Sequence, residues 1–107
     1  MSNPDRSWTL DGFPERVVHP DGDPPDEVQK AYEAWLETRR INPRRGARRL
    51  QGDDIRYTAE VPGAHYVNQA GGWQLMCDYD VDEGNWSVRG RAVYVGMGYV
   101  EAGDLDG

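Results

Sequence analysis

The sequence predicts a small α+β domain in which one main helix and a short helical turn pack on a three- to four-stranded antiparallel sheet. Three observations lead to this fold class. Apolar residues recur at helical spacing over residues 28–36, which indicates an amphipathic helix. Apolar and polar residues alternate over residues 55–61 and again over residues 73–81, which is typical of half-buried strands. The chain has 107 residues, the size of one domain, so residues 1–107 are interpreted as a single domain.

The main helix is expected to begin after Asp23 and to end near Arg40. Asp23 can accept hydrogen bonds from the first backbone N–H groups, and Pro24 suits the first helical position, where its missing N–H leaves no bond unmade. Pro43 should end the helix because proline disfavours helical geometry at the residue before it, Asn42.

Turn residues divide the rest of the chain into short elements. Pro62 and Gly63 should break the first strand, and Gly90 should interrupt or bulge the last one. In chain order, the predicted elements are a helical turn over residues 42–50, a strand over 55–61, a loop over 64–72, a strand over 73–81, a hairpin turn over 82–85 and a strand over 86–95. Residues 1–25 are expected to form an irregular arm or an edge strand, and residues 97–107 a flexible tail.

The composition favours a protein of a reducing compartment. Cys77 is the only cysteine and cannot form an internal disulfide. No stretch approaches 18 consecutive apolar residues, and the first ten residues do not resemble a signal peptide. A soluble, cytoplasmic protein without a membrane partner is therefore expected. His19, His65 and Cys77 lack metal-ligand spacing, so no metal or other cofactor is expected.

Positive charge is concentrated in one segment. Six of the twelve basic residues lie between positions 39 and 49, where no acidic residue occurs, and the rest of the chain has six basic and nineteen acidic residues. This distribution predicts a cationic patch that contacts RNA or a partner, although a solvated helix end is the alternative. The acidic remainder disfavours general nucleic-acid binding. The patch consists of Arg39, Arg40, Arg44, Arg45, Arg48 and Arg49.

The segment after the helix resembles the RelE/ParE superfamily of type II toxins. In that family a helix is followed by Asn-Pro, a basic turn that contains glycine, and Leu-x-Gly. Here these are Asn42-Pro43, residues 44–49 and a Leu-Gln-Gly that ends at Gly52. A similar order of strands follows. The resemblance implies a RelE/ParE-like fold and an antitoxin protein as partner, with the ribosome and its mRNA as further candidate partners.

The resemblance also implies a set of catalytic residues. In the ribonuclease branch of the family, a ribose 2′-hydroxyl attacks the adjacent phosphate of mRNA on the ribosome, and fixed cations stabilise the charge that builds on the phosphoryl group. Arg56, Arg89 and Arg91 match the family's sheet-borne basic residues. Tyr94, in an Arg-x-Val-Tyr pattern, is the candidate acid or base-stacking residue, with Tyr99 as the alternative. A non-catalytic mode, as in the ParE branch, stays open.

Simpler interpretations of the same residues lead to a second hypothesis. The sheet arginines could form a solvated strand face that pairs with acidic neighbours, and Tyr94 could belong to the core or to an interface. His65 could act as a base near neutral pH, although a loop histidine is more often incidental. The alternative function is therefore a non-enzymatic protein-interaction module on the same scaffold.

Overall fold

In the part of the chain that the structure describes, one helix packs on a five-stranded mixed sheet. The computed structural model describes residues 7–19, 22–50, 52, 55–69 and 71–97. The sheet order is β1-β5-β4-β3-β2, with β1 parallel to β5 and the other neighbours antiparallel. In chain order, the elements are β1 (Thr9–Asp11), α1 (Asp26–Ile41), β2 (Arg48–Arg49), β3 (Arg56–Asn68), β4 (Gly71–Asp82) and β5 (Ser87–Met97). The α+β class is confirmed, and β1 is the edge strand that was one of the two alternatives for residues 1–25, but the prediction of three to four antiparallel strands missed β2 and the parallel pairing of β1.

Helix α1 forms where the apolar spacing predicts it. Its buried side chains are Val28, Tyr32, Trp35 and Arg39, which share one face. The predicted start was wrong by a few residues, because the helix begins at Asp26 and Pro25 occupies the cap position without a side-chain cap. No helix among the described residues is long and apolar enough to cross a membrane.

The segment after α1 is a turn and a strand, so the predicted helical turn over residues 42–50 was wrong. Gly46 has a φ of 72°, in the left-handed region that favours glycine, and it reverses the chain. Arg48 and Arg49 then pair with Thr58 and Tyr57 of β3. The segment can gain backbone hydrogen bonds from β3, and these favour a strand over an isolated helical turn.

Strands β3 and β4 are longer than predicted, and the loop expected over residues 64–72 was wrong. Pro62 and Gly63 do not end β3; they lie in an irregularity between Glu60 and His65, beyond which the pairing with β4 resumes. Gly63 has a φ of 76°, which few other residues adopt. Proline is tolerated there because it lies at a bulge of the sheet.

The N-terminal arm forms the other edge of the sheet, at β1, and then crosses the helix. Gly12 follows β1 and packs closely against Gly90 of β5. A Cβ at Gly90 would lie 2.9 Å from the backbone oxygen of Gly12, so glycine at position 90 permits this close approach. Beyond this contact, the Tyr32 hydroxyl donates a hydrogen bond to the Pro14 carbonyl. The arm therefore closes the β5 side of the core. The tail over residues 98–107, including Tyr99, lies outside the described residues.

The core lies between α1 and one face of the sheet. Alternate residues of β4, from Trp73 to Val81, point into it and are buried. The residues between them point to the opposite face, which no helix of the described chain covers. This uncovered surface is called the open face below.

Candidate functional site

The open face brings the three predicted catalytic arginines together and places Tyr94 further along the same strands. Arg56 on β3 and Arg89 on β5 are the two cross-strand neighbours of Asp80 on β4. Arg91 follows at the register shift of β5, and its Nε lies 3.8 Å from an Asp80 carboxylate oxygen. Tyr94 pairs with Met76 further along the same strands. The sequence therefore predicted a real juxtaposition of basic side chains.

Each of these three arginines forms an ion pair with a carboxylate. The Asp80 carboxylate accepts a hydrogen bond from Arg56 at 2.9 Å and also lies beside Arg91, while Arg89 pairs with Asp11 of β1 at 3.6 Å. The Asp80 side chain is only 11% exposed, so its pairing is screened less than a surface ion pair. The cations are thereby largely neutralised, and a phosphate would have to compete with these carboxylates.

Among the described residues, an acid and a base for phosphoryl chemistry do not lie beside the three arginines. The Tyr94 hydroxyl lies 3.4 Å from an Asp78 carboxylate oxygen, and burial together with that negative charge raises the pKa of Tyr94. A raised pKa makes the phenol a weaker acid. His65 pairs with Gln74, six positions along β4 from Asp80, which is roughly 20 Å at the rise of a strand. His65 therefore does not join the arginines.

Replacing Asp80 by asparagine should reduce the free energy of unfolding by about 1–2 kcal/mol, because Arg56 and Arg91 would then face each other without a carboxylate between them. Urea denaturation followed by tryptophan fluorescence measures this effect. Glu83→Gln is the control: its carboxylate pairs with Arg44 but is 75% exposed, so a change of less than about 0.5 kcal/mol is expected. Equal stabilities of wild type and Asp80→Asn would contradict the pairing described here.

The predicted cationic patch separates into three parts. Arg39 is 2% exposed and points into the core, so its assignment to a binding surface was wrong. Arg40 pairs with Glu37 one helical turn earlier. Arg44 donates to the Tyr57 hydroxyl and pairs with Glu83 at 2.9 Å. Carboxylates from outside the arginine-rich segment therefore relieve part of the repulsion that the sequence suggested.

The remaining arginines form an exposed cationic turn. Arg45, Arg48 and Arg49 are exposed and make no ion pair with any residue that the structure describes. Gly46 lies between Arg45 and β2 in the chain, and its positive φ makes the backbone turn there. These three arginines are called the arginine turn below. Because no described carboxylate neutralises these three charges, they favour a negatively charged ligand.

A groove lies beside the arginine turn, between α1 and the edge of β3. It has a volume of about 430 Å³, within the usual range of ligand sites. Small and apolar residues line most of it, and Arg45 and Glu60 are its exposed charged residues. The walls and ends of the groove include Ala31, Ala34, Trp35, Gly46 and Pro62.

The sequence analysis did not predict this groove, although part of its origin is visible in the sequence. Ala31 and Ala34 are small residues three positions apart, on the side of the helix next to the core face, and small side chains leave space between a helix and a sheet edge. The opposite wall comes from the irregularity of β3 around Pro62, which follows from sheet pairing rather than from local sequence.

Other chemistry finds little support in the described residues. No group of three or more His, Cys, Asp or Glu side chains is placed to hold a metal ion within that part of the chain. Cys77 is fully buried, and burial together with the nearby Asp78 charge raises the pKa of its thiol to about 12. A thiol with such a pKa is a poor nucleophile at neutral pH.

Comparison with protein-family models, with curated proteins and with solved structures found no match to this chain. The resemblance to the RelE/ParE superfamily stays a hypothesis carried by the residues that first suggested it.

Proposed function

We propose that this protein is a non-enzymatic interaction module that binds an acidic segment of a partner protein at the arginine turn and the neighbouring groove. One contrast carries the proposal. The arginines of the open face each have a carboxylate partner, whereas Arg45, Arg48 and Arg49 have none among the described residues, and Arg45 lines an apolar groove. A partner that supplies carboxylates and an apolar side chain would satisfy both features.

The charge of the whole chain favours a protein segment over RNA as the ligand. Outside residues 39–49, acidic residues outnumber basic ones by nineteen to six, so a long polyanion would be repelled wherever it left the arginine turn. A short acidic segment contacts the patch alone and avoids this repulsion. We place the interaction in the cytoplasm, because the single cysteine and the lack of disulfides suit a reducing compartment.

Fluorescence anisotropy can test this proposal with two labelled probes, a short poly-glutamate peptide and a single-stranded RNA of the same net charge. The peptide should bind more tightly than the RNA at low salt. The triple variant Arg45→Ala/Arg48→Ala/Arg49→Ala should bind the peptide about tenfold more weakly.

A matched control removes three exposed cations elsewhere, as Arg16→Ala/Lys30→Ala/Arg89→Ala. This variant has the same net charge as the first, so a similar loss of affinity in both would mean that net charge alone governs binding. Tighter binding of the RNA, or no binding of the peptide, would also overturn the proposal.

A RelE/ParE-like toxin is the second candidate, and the juxtaposition of Arg56, Arg89 and Arg91 on the open face favours it, with Tyr94 further along the same face. Its partners would be an antitoxin and the ribosome with its mRNA, and its scaffold a RelE/ParE-like fold. Induction in a bacterial host, with growth and cleavage of a reporter mRNA as readouts, tests this candidate. Growth arrest with cleavage in the wild type, and neither in Arg89→Ala/Arg91→Ala, would favour the ribonuclease over the interaction module.

A further inference from the structure

We propose that the partner segment binds in extended form, as an added β-strand along the open edge of β3 at residues 60–64. This inference rests on the proposed function and specifies how the ligand lies. Strand β2 pairs with β3 only at Tyr57 and Thr58. Beyond that point, no strand of the described chain pairs with residues 60–64 on the side away from β4. An edge of this kind can accept an extended peptide through main-chain hydrogen bonds.

Two cavities flank this edge at the place where β2 ends. The first is the groove of about 430 Å³ against α1, and the second, of about 290 Å³, lies between the arginine turn and the open face. Gly46 and Glu60 line both cavities, so the cavities meet at the gap between the turn and β3. The first is mainly apolar, whereas Arg48, Thr58 and Glu60 make the second more polar.

This arrangement matches the geometry of a β-strand. Successive side chains of a strand point to opposite faces of the sheet, about 3.3 Å apart along the chain. A peptide beside Glu60 would therefore direct one side chain into the groove against Ala34 and Trp35, and the next into the cavity beside Arg48. The first position favours an aliphatic side chain and the second a polar one.

The charges around the edge define the rest of the ligand. Arg45 lies at the groove and Arg48 at the second cavity, and Arg49 follows in β2, so acidic side chains are favoured where the peptide passes the arginine turn. Glu60 is the only carboxylate among the described residues that line the two cavities, and it disfavours a second acid directly opposite. The inferred ligand thus has an acidic end next to an aliphatic residue.

Pro62 limits how far the added strand can pair. Proline has no N–H to donate, and the irregularity that contains it interrupts the pairing of β3. Main-chain bonding is therefore confined to a short stretch around Glu60, and most of the affinity would come from the two cavities and the arginine turn. Pro62 also hinders uncontrolled pairing between copies of the edge, as edge prolines commonly do.

Selection from a phage-displayed library of random short peptides, with the full 107-residue chain as bait, tests the inference. Selected peptides should combine an acidic end with an aliphatic residue. Two N-methylated versions of a selected peptide are then synthesised, one with N-methyl groups at the odd backbone positions and one with them at the even positions; these are the two phases compared below. One phase should lose affinity about tenfold and the other much less, because only alternate N–H groups of a bound strand face β3.

Protein variants complete the test. Ala34→Trp places a large side chain in the groove and should weaken the selected peptide about tenfold or more, while Ala92→Trp, at an exposed alanine of the open face, should leave its affinity within twofold. Equal effects of the two N-methyl phases, or equal effects of the two tryptophans, would overturn strand addition. Acidic peptides selected without any aliphatic preference would overturn it too, while leaving the proposed function intact. A library that yields no binder would contradict both.

Discussion

Arg39→Ala should lower the free energy of unfolding by about 3 kcal/mol, which corresponds to a fall in melting temperature of roughly 15 °C for a domain of this size. The Arg39 guanidinium carbon lies 4.7 Å from the centre of the Trp35 ring and 5.9 Å from that of Tyr79. One of its nitrogens donates to the Tyr79 hydroxyl at 2.9 Å and to the Pro43 carbonyl at 3.0 Å. The substitution removes these contacts and leaves a cavity.

The buried positive charge of Arg39 is stabilised by neutral groups of the described chain and not by a carboxylate. Among the described residues no ion pair involves it, so the aromatic rings and the oxygens of Thr38, Pro43 and Tyr79 compensate for its removal from water. A lysine lacks the planar, five-donor fork that makes these bonds, and Arg39→Lys should therefore be nearly as unstable as Arg39→Ala.

Urea denaturation followed by tryptophan fluorescence measures these differences. Arg40→Ala is the control, because the neighbouring arginine is half-exposed and, among the described residues, forms an ion pair only with Glu37 on the helix surface; a loss of at most about 1 kcal/mol is expected. If Arg39→Ala and Arg40→Ala had the same stability, the buried network around Arg39 would contribute nothing of its own.

The second large effect should appear at alkaline pH, where the folded state is expected to lose stability. Burial raises the pKa of the Cys77 thiol to about 12, and it also raises the pKa values of the Tyr32 and Tyr79 hydroxyls. The nearby Arg39 charge opposes this rise at Cys77 and Tyr79 but does not cancel it. All three groups are therefore neutral in the folded protein at pH values where the unfolded chain is already ionised.

The sign of the effect follows from these raised pKa values. Above about pH 9 the unfolded chain releases protons that the folded protein retains, so the free energy of unfolding falls as pH rises. The stability that depends on keeping these three groups neutral is fully present below about pH 9 and is lost progressively towards pH 12. For Cys77 alone, the loss between pH 9 and pH 11 is about 2 kcal/mol.

Urea titrations at a series of pH values measure this loss. Cys77→Ala should be less stable at neutral pH because of the missing sulfur, but its stability should fall less steeply between pH 9 and pH 10, where the tyrosines contribute little. A stability that stays constant up to pH 11 would contradict the burial of these three groups.

The parts of the fold that local sequence determines were predictable. Helix α1 followed from the spacing of Val28, Tyr32 and Trp35, because one buried face imposes the period of the helix. The same spacing continues to position 39, seven residues after Tyr32 and four after Trp35. The sequence thus contained a sign that Arg39 faces the core, which its place in a run of arginines obscured.

The parts that depend on distant pairing were not predictable in the same way. Arg48 and Arg49 form β2 only because β3 offers its edge, and β3 continues past Pro62 only because β4 pairs with its far end. The spacing of Arg89 and Arg91, two positions apart on one strand, correctly indicated that they share a face, and the register of β3 with β4 brings Arg56 to the same face. Their pairing with acidic neighbours was one of the two interpretations of the sequence, and the structure shows it at Asp80; the pairing of Arg89 with Asp11 depends on the distant contact of β1 with β5 and was not predicted.

The parallel pairing of β1 with β5 affects when this chain can fold during its synthesis. Thr9 lies opposite Ser87, so this contact joins the start of the described chain to its last strand. A ribosome releases β5 after all other elements, and until then neither β1 nor the arm around Phe13 has its final neighbour. Contacts this distant in sequence form late and slowly. Completion of the fold therefore waits until β5 has left the ribosome, and a chain that stalls before β5 would leave the apolar arm exposed to aggregation and proteolysis.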